Sequence, residues 1–445
     1  MQIPYGISDF RTIRKEDYLF IDKTQYIEKL EKQRIVMYVR PRRFGKSLFT
    51  SILDYYYAID KKEEFEQLFK GLYIYDNQTP NKNLYYIMNF NFSRMEADSK
   101  TELREIEKQF KDIVVQSLVD FIKRYNLQIQ INTETTAANA LRSVLSGFKN
   151  LNLGNNIYVI IDEYDHFAND ILGFKKEEFK NLVAKNGKIR KWYEILKKGT
   201  ESVVDRIFIT GVAPITLDSL TSGFNIGKDI TQDEDFNEMM GFTLKELVEI
   251  LNNQEITKEE QEKILPIMKE NYDGYKFSLS AENHIYNSNM CLYFLSDYIR
   301  LKRIPDDLID MNIASDYSKI GKMLDLCKGE NRQEILRKTV QGEPIVNNIV
   351  KKFNPAIEFT ETDMISMLYY LGYLTIYRNL AGIPELTIPN KVMKEIYASY
   401  FMQLIDQKAE FRIDSSTNQE ILIQLAMEGR IDKIVEVLRI YLNNL

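Results

Sequence analysis

Gly45-Lys46-Ser47 is the strongest concentration of phosphate chemistry in the sequence. A glycine there lets backbone amides approach an anion, the Lys46 ammonium brings a point charge to terminal phosphate oxygens, and the Ser47 hydroxyl is a hard ligand for Mg²⁺. A second group lies far downstream, where Asp162 and Glu163 follow the apolar run Ile157-Tyr158-Val159-Ile160-Ile161. Asp162 is suited to hold Mg²⁺, Glu163 to polarise an attacking water, and Arg42 or Arg43 to neutralise charge in a transition state. Thr210 closes another apolar run and is expected to sense a terminal phosphate or position water.

These side chains need elements to carry them. Arg34 to Val39 is β-prone and breaks into a basic turn, and Leu48 to Tyr57 has the pattern of a helix whose N-terminal amides favour an anion. Arg40 occupies the first glycine position of the usual G-x-x-x-x-G-K-[ST] loop. Taken alone, Gly-Lys-Ser is also compatible with a strand ending in a solvated basic turn. The acidic strand end changes the balance, since parallel sheets bury continuous apolar runs and hold ligands beyond their carboxyl ends. Strands are expected at 34–39, 83–92, 156–161 and 206–212, with helices over 100–125 and 136–150 between them. That alternation predicts a doubly wound, mostly parallel α/β sheet. Tyr18 to Ile21 reads as a short strand entering a helix capped by Thr24, with Asp22 and Lys23 either lying across the nucleotide base or forming a local turn. His166 is read as a hydrogen-bonded structural histidine, because Glu163 already fits the basic role.

The composition narrows the class. A chain of 445 residues with 44% hydrophobic and 28% charged residues is expected to fold around large cores in two or three domains. A net charge of −6 provides no global attraction to nucleic acid or anionic membrane. Cys291 and Cys327 have no metal-ligand or C-x-x-C spacing, so reduced thiols are expected. No signal-peptide pattern or uncharged run of spanning length is legible, and a soluble cytoplasmic location without membrane partners is expected.

Beyond Pro214 the alternation ends. Thr243 and Glu246 have capping-box spacing, and the chain to about Lys338 reads as mainly helical, interrupted at Asn271-Tyr272-Asp273-Gly274-Tyr275-Lys276-Phe277 by a turn and a short strand. Thr360 is expected to cap a helix, followed by strands at 373–377 and 385–388 in a winged-helix-like unit. Arg378 is its one base-seeking candidate, too little for a groove reader. Helices are expected at 418–427 and 431–442. Gly429-Arg430-Ile431-Asp432 has the G-R-x-D form of restriction-type nucleases, but no E-x-K follows it to complete a metal site. The expected division is 1–220, 221–349 and 350–445.

With Phe20-Ile21-Asp22-Lys23-Thr24, Arg40-Pro41-Arg42-Arg43-Phe44-Gly45-Lys46-Ser47, Ile161-Asp162-Glu163-Tyr164-Asp165 and Phe208-Ile209-Thr210-Gly211-Val212 in order, the sequence resembles the bacterial AAA-ATPase-like family. Tyr272 to Phe277 and Leu371 to Ile376 are similar to that family as well. The resemblance implies a P-loop NTPase domain, ATP and Mg²⁺ as ligands, and contacts to nucleotide from Arg42, Phe44, Gly45, Lys46, Ser47 and Leu48. It also tolerates arginine at position 40. Members commonly carry a PD-(D/E)XK nuclease-like domain after the ATPase and helical regions. That domain is not legible in this sequence, so the expectation is a nucleotide-driven switch acting on a separate protein effector or nuclease, in defence or mobile-element biology, with homo-oligomerisation open. A nucleotide-holding scaffold without turnover is the alternative.

Overall fold

Five strands form one parallel sheet: β1 (Ile35–Val39), β2 (Tyr86–Asn91), β3 (Ile157–Asp162), β4 (Val204–Gly211) and β5 (Lys228–Asp229), in the order β2-β3-β4-β1-β5. All six residues of β3 are buried, as a run without polar alternation requires of a strand covered on both faces. The longer helices between strands among the described residues are α1 (Lys46–Tyr57), α2 (Leu103–Arg124), α3 (Ala137–Asn150) and α4 (Lys188–Gly199). Trp192 of α4 is fully buried and meets Phe90, Phe92 and Phe110 edge-on, which anchors this helix to the β2 end and to α2. The computed structural model describes residues 1–95, 101–154, 156–166, 187–214, 226–310, 335, 338–339, 342–351, 353 and 360–398. Met1–Lys394 form one compact unit and Glu395–Leu445 another; every element named above and below lies in the first.

Four strands were legible and five are present. β5 is a two-residue edge strand of exposed residues, paired to β1 through Val36 and Met37, so it carries no apolar signal. β1 and β3 are not neighbours: β4 lies between them, with Thr210 opposite Tyr38. Tyr18 to Ile21 is not a strand but contributes a single bridge, Tyr18 to Gln2. Thr24 precedes the helix Gln25–Glu31 without capping it through its side chain. Its hydroxyl instead donates to Asp22 and accepts from Ile74 N.

The later helices are α5 (Leu244–Asn253), α6 (Lys258–Tyr272), α7 (Ser288–Leu301) and α8 (Glu361–Tyr370). Capping boxes start α5, α6 and α8, at Thr243 with Glu246, Thr257 with Glu260 and Thr360 with Asp363. β6 (Ile345–Val346), β7 (Thr375–Leu380) and β8 (Ile383–Thr387) form an antiparallel sheet ordered β6-β8-β7. Arg378 pairs with Glu385 across its hairpin, which occupies the one base-seeking side chain noted there. The Cys291 thiol is buried and pushed well above its ordinary pKa by desolvation. Position 220, Cys327, the expected terminal helices and Gly429 to Asp432 lie outside the described residues. No helix among the described residues is long and apolar enough to cross a membrane.

Candidate nucleotide site

The loop between β1 and α1 turns twice through left-handed backbone, at Arg43 (φ 67°) and Gly45 (φ 93°). Glycine adopts that region without a Cβ penalty, while an arginine there is strained and must be held by its surroundings. Lys46, 4% exposed, donates to the carbonyls of Arg40 (3.1 Å) and Pro41 (3.0 Å), so its ammonium is folded back across the loop.

Arg40 explains how the loop dispenses with its usual first glycine. The guanidinium is buried and donates to the carbonyls of Val39, Thr231 and Phe236 at 2.8–3.0 Å. It lies 4.1 Å from the ring centres of both Tyr38 and Phe277. Position 40 therefore fastens the loop to segments nearly two hundred residues away. Phe44 works in the same direction: its ring is buried edge-on against Tyr275 and Phe277, and its carbonyl accepts from Gly241 N. Gly372 belongs to the same platform, since a Cβ there would stand 2.9 Å from Pro41.

Ser47 Oγ donates to Asp162 Oδ2 at 2.7 Å, and Lys46 Nζ stands 3.8 Å from Glu163 Oε1. The basic loop and the acidic strand end thus meet across the intervening β4. Burial lifts the Asp162 carboxyl to about 6, aided by the charge of Glu163 and opposed by the Ser47 hydrogen bond and Lys46. Burial pushes Glu163 the same way, but Lys46, His166 and Arg42 together outweigh it and hold that carboxyl at about 2. Glu163 sits at φ 53°, an uncommon conformation for a side-chain-bearing residue, with its carbonyl accepting from His166 N and the next amide, Tyr164 N, donating to Thr210 O. Asp165 completes the turn by accepting from Val212 N and Ala213 N, and Tyr164 donates to Ala213 O.

Beside the loop is a cavity of about 320 Å³ lined by Arg43, Phe44, Gly45, Lys46, Ser47, Leu48 and Glu163, by N-terminal residues including Ile7 and Ile21, and by Met240, Phe242, Asn289 and Leu292. Arg42 is not among its lining residues and acts on Glu163 through its charge. Asp22 is not brought to the cavity either. Its carboxylate is consumed by Thr24 N, Thr24 Oγ1 and Tyr73 N, so it fixes the local turn, while neighbouring Lys23 lines the cavity and pairs with Glu246 at 2.6 Å. Thr210 is fully buried between β1 and β3, its hydroxyl without a partner among the described residues, and it does not line the cavity. His166, read from sequence as a hydrogen-bonded structural histidine, stands with Nδ1 3.7 Å from Glu163 Oε2 and helps hold that carboxyl low. The α7 residues went unassigned from sequence and carry no local signal.

A parallel sheet with a Gly-Lys-Ser loop after one strand and an Asp-Glu pair at the end of another, the two joined by the Ser47–Asp162 hydrogen bond, is a P-loop NTPase fold. Residues 4–221 match the model of the AAA-ATPase-like family, described as predicted AAA-ATPase. An uncharacterized protein in the vnfD 5′ region of Azotobacter chroococcum mcd 1 is 26% identical over 244 residues, which make up 54% of this chain and 43% of that relative. The chain thus spans less than half the length of the curated relative it matches. The Walker-type ATPase PABY2304 of Pyrococcus abyssi is similar at a TM-score of 0.43 and 13% identity, covering 84% of this chain and 94% of that one.

Proposed function

We propose that this chain binds ATP with Mg²⁺ and hydrolyses it, and that the cycle switches a separate protein effector. The observation that carries the reading is the convergence of Ser47, Asp162, Lys46 and Glu163 at one edge of the sheet. Ser47 Oγ and Asp162 Oδ2 are adjacent hard oxygen donors, a set that fits Mg²⁺, which when bound would neutralise phosphate charge. Lys46 is bound by its own loop carbonyls and faces Glu163; terminal phosphate oxygens are stronger partners for it. Drawing Lys46 away from Glu163 removes the largest influence lowering that carboxylate's pKa, making it a better acceptor for a proton from water. Arg43, already in the cavity, is positioned to offset transition-state charge, with Arg42 beside Glu163. Thr210 enters as a buried residue behind the acids rather than as a contact to phosphate.

The switch itself rests on the packing of the loop's outer face. Arg40 and Phe44 reach the segments around Thr231, Phe236, Tyr275 and Phe277, so a change in loop geometry on turnover is felt outside the sheet. The division 1–220, 221–349 and 350–445, a winged-helix role for the last part, assembly into homo-oligomers and a cytoplasmic setting belong to this proposal. The competing reading, a nucleotide-holding scaffold without turnover, draws on the low pKa of Glu163, which describes a poor base for as long as Lys46 stays beside it. Phosphate release and equilibrium ATP binding measured on two variants separate the readings. Lys46→Ala should abolish binding, whereas Glu163→Gln should keep binding and lose turnover at least a hundredfold if the chain is an enzyme. Unaltered ATP binding by Lys46→Ala would sink both readings, and a parent without turnover leaves the scaffold.

A further inference from the structure

Gly45, Lys46 and Ser47 form the end of the cavity that suits a triphosphate. Its other end is walled by two apolar stretches, an N-terminal one that includes Ile7 and Ile21 and a second, residues 239–242, that includes Met240 and Phe242. Apolar walls of this kind accept the flat faces of a base and offer nothing to phosphate. The two stretches are more than two hundred residues apart in sequence, so the backbone alone does not set the distance between them.

Lys23 bridges them. It lines the cavity from the N-terminal side, and its ammonium grips both flanks of the second wall: it donates to Glu238 O at 2.8 Å, immediately before 239–242, and pairs with Glu246 Oε1 at 2.6 Å, shortly after it. The carboxylate it meets is already fixed, because Glu246 Oε2 accepts from Thr243 N (2.8 Å) and Thr243 Oγ1 (3.1 Å) in the capping box of α5. Within the gripped stretch, Gly241 N donates to Phe44 O, which sets the same wall against the phosphate loop. The Lys23 and Glu246 side chains are only 10% and 17% exposed. An ion pair so far out of water gains little net stability over an apolar pair of similar size.

We infer that Lys23 is a positioning residue for the nucleoside end of the nucleotide, clasping residues 239–242 against the N-terminal segment so that the two apolar walls keep one fixed separation; the inference rests on the ATP-binding reading above. Without the clasp the walls must be brought together when the ligand arrives, and that ordering is subtracted from its affinity. The phosphate end does not share the cost, since its loop is fastened independently through Arg40 and Phe44. Loss of the clasp is therefore felt by a ligand that carries a nucleoside and not by one that is phosphate alone.

The test is equilibrium binding of ATP and of inorganic tripolyphosphate, each with Mg²⁺, to the full chain and to Lys23→Met, Glu246→Gln and the double variant. Glutamine keeps the capping box and removes only the charge that faces Lys23. Each single variant should weaken ATP by about tenfold, the size expected of coupled neighbours, and the double variant should be no weaker than the worse single. Tripolyphosphate, which has no nucleoside, should bind the parent and all three variants alike, which also reports that the variants are folded. If ATP binds the parent but its affinity relative to tripolyphosphate is the same in every variant, the pair does not position the nucleoside and the assignment is overturned while the nucleotide reading stands. If the folded parent binds neither ligand, both fall.

Discussion

Asp162→Asn should stabilise the nucleotide-free protein while removing its response to Mg²⁺ and ATP. Asp162 is 4% exposed and its carboxyl is raised from 3.8 to about 6, chiefly by burial and next by Glu163. A carboxyl whose folded pKa lies above its unfolded value favours the folded state only while it is protonated. Its contribution is complete below pH 3.8 and is lost as pH rises through about 6. A shift of about two units corresponds to at most roughly 3 kcal/mol of folding free energy lost by the parent above that window. Asparagine keeps the shape and an acceptor for Ser47 Oγ but never ionises. Thermal melts in EDTA, taken at steps from pH 4.5 to 8, should show the variant pulling ahead of the parent as pH rises and holding a constant lead above about pH 7. Adding Mg²⁺ and ATP should then raise the melting temperature of the parent and leave the variant nearly unmoved. A lead that is equal at every pH, or absent at pH 8, would refute the argument that a buried ionised Asp162 opposes folding.

Arg40→Ala removes the donors of three buried carbonyls and empties the space between Tyr38 and Phe277, and should cost roughly 3 kcal/mol or more. Chemical denaturation measures the cost; a loss below 1 kcal/mol would show that the guanidinium is dispensable. Gly211→Ala should be destabilising by about 1–3 kcal/mol, because a Cβ there stands 2.2 Å from Asp165 Oδ1 and 2.6 Å from the Tyr164 ring. The variant should lower both the melting temperature and any ATP turnover, since the same turn presents Glu163; an unchanged melt and unchanged turnover would contradict it.

What the sequence showed well was whatever it encodes locally. The continuous apolar runs of β1, β3 and β4 and the Thr243–Glu246 capping box are patterns of neighbours, and neighbours are what a sequence displays. Gly45, Lys46, Ser47, Asp162 and Glu163 were legible because strand ends of a parallel sheet converge on one edge. The order of those strands was not, since register between distant segments leaves no periodic trace, and β4 between β1 and β3 alters the surroundings of Thr210. β5 was invisible for want of an apolar run. Of the two readings of Asp22, the local turn is the one the structure has: an aspartate two residues before a threonine can accept from that residue's amide and hydroxyl, and this one does. Arg40 could be seen only as a missing glycine, because Thr231, Phe236 and Phe277, which give it a purpose, lie far along the chain.

The way Arg40 and Phe44 are seated has a consequence for modularity. The stretch that matches the family model ends at residue 221, whereas, apart from Val39 O and the Tyr38 ring close by, the carbonyls and rings that receive these two side chains run from Thr231 to Phe277. Recombination that exchanged one stretch without the other would strand a cation and an aromatic ring where water or a mismatched surface must take them. The two stretches are therefore expected to be inherited together, with substitutions at positions 40 and 44 covarying with those at 275 and 277.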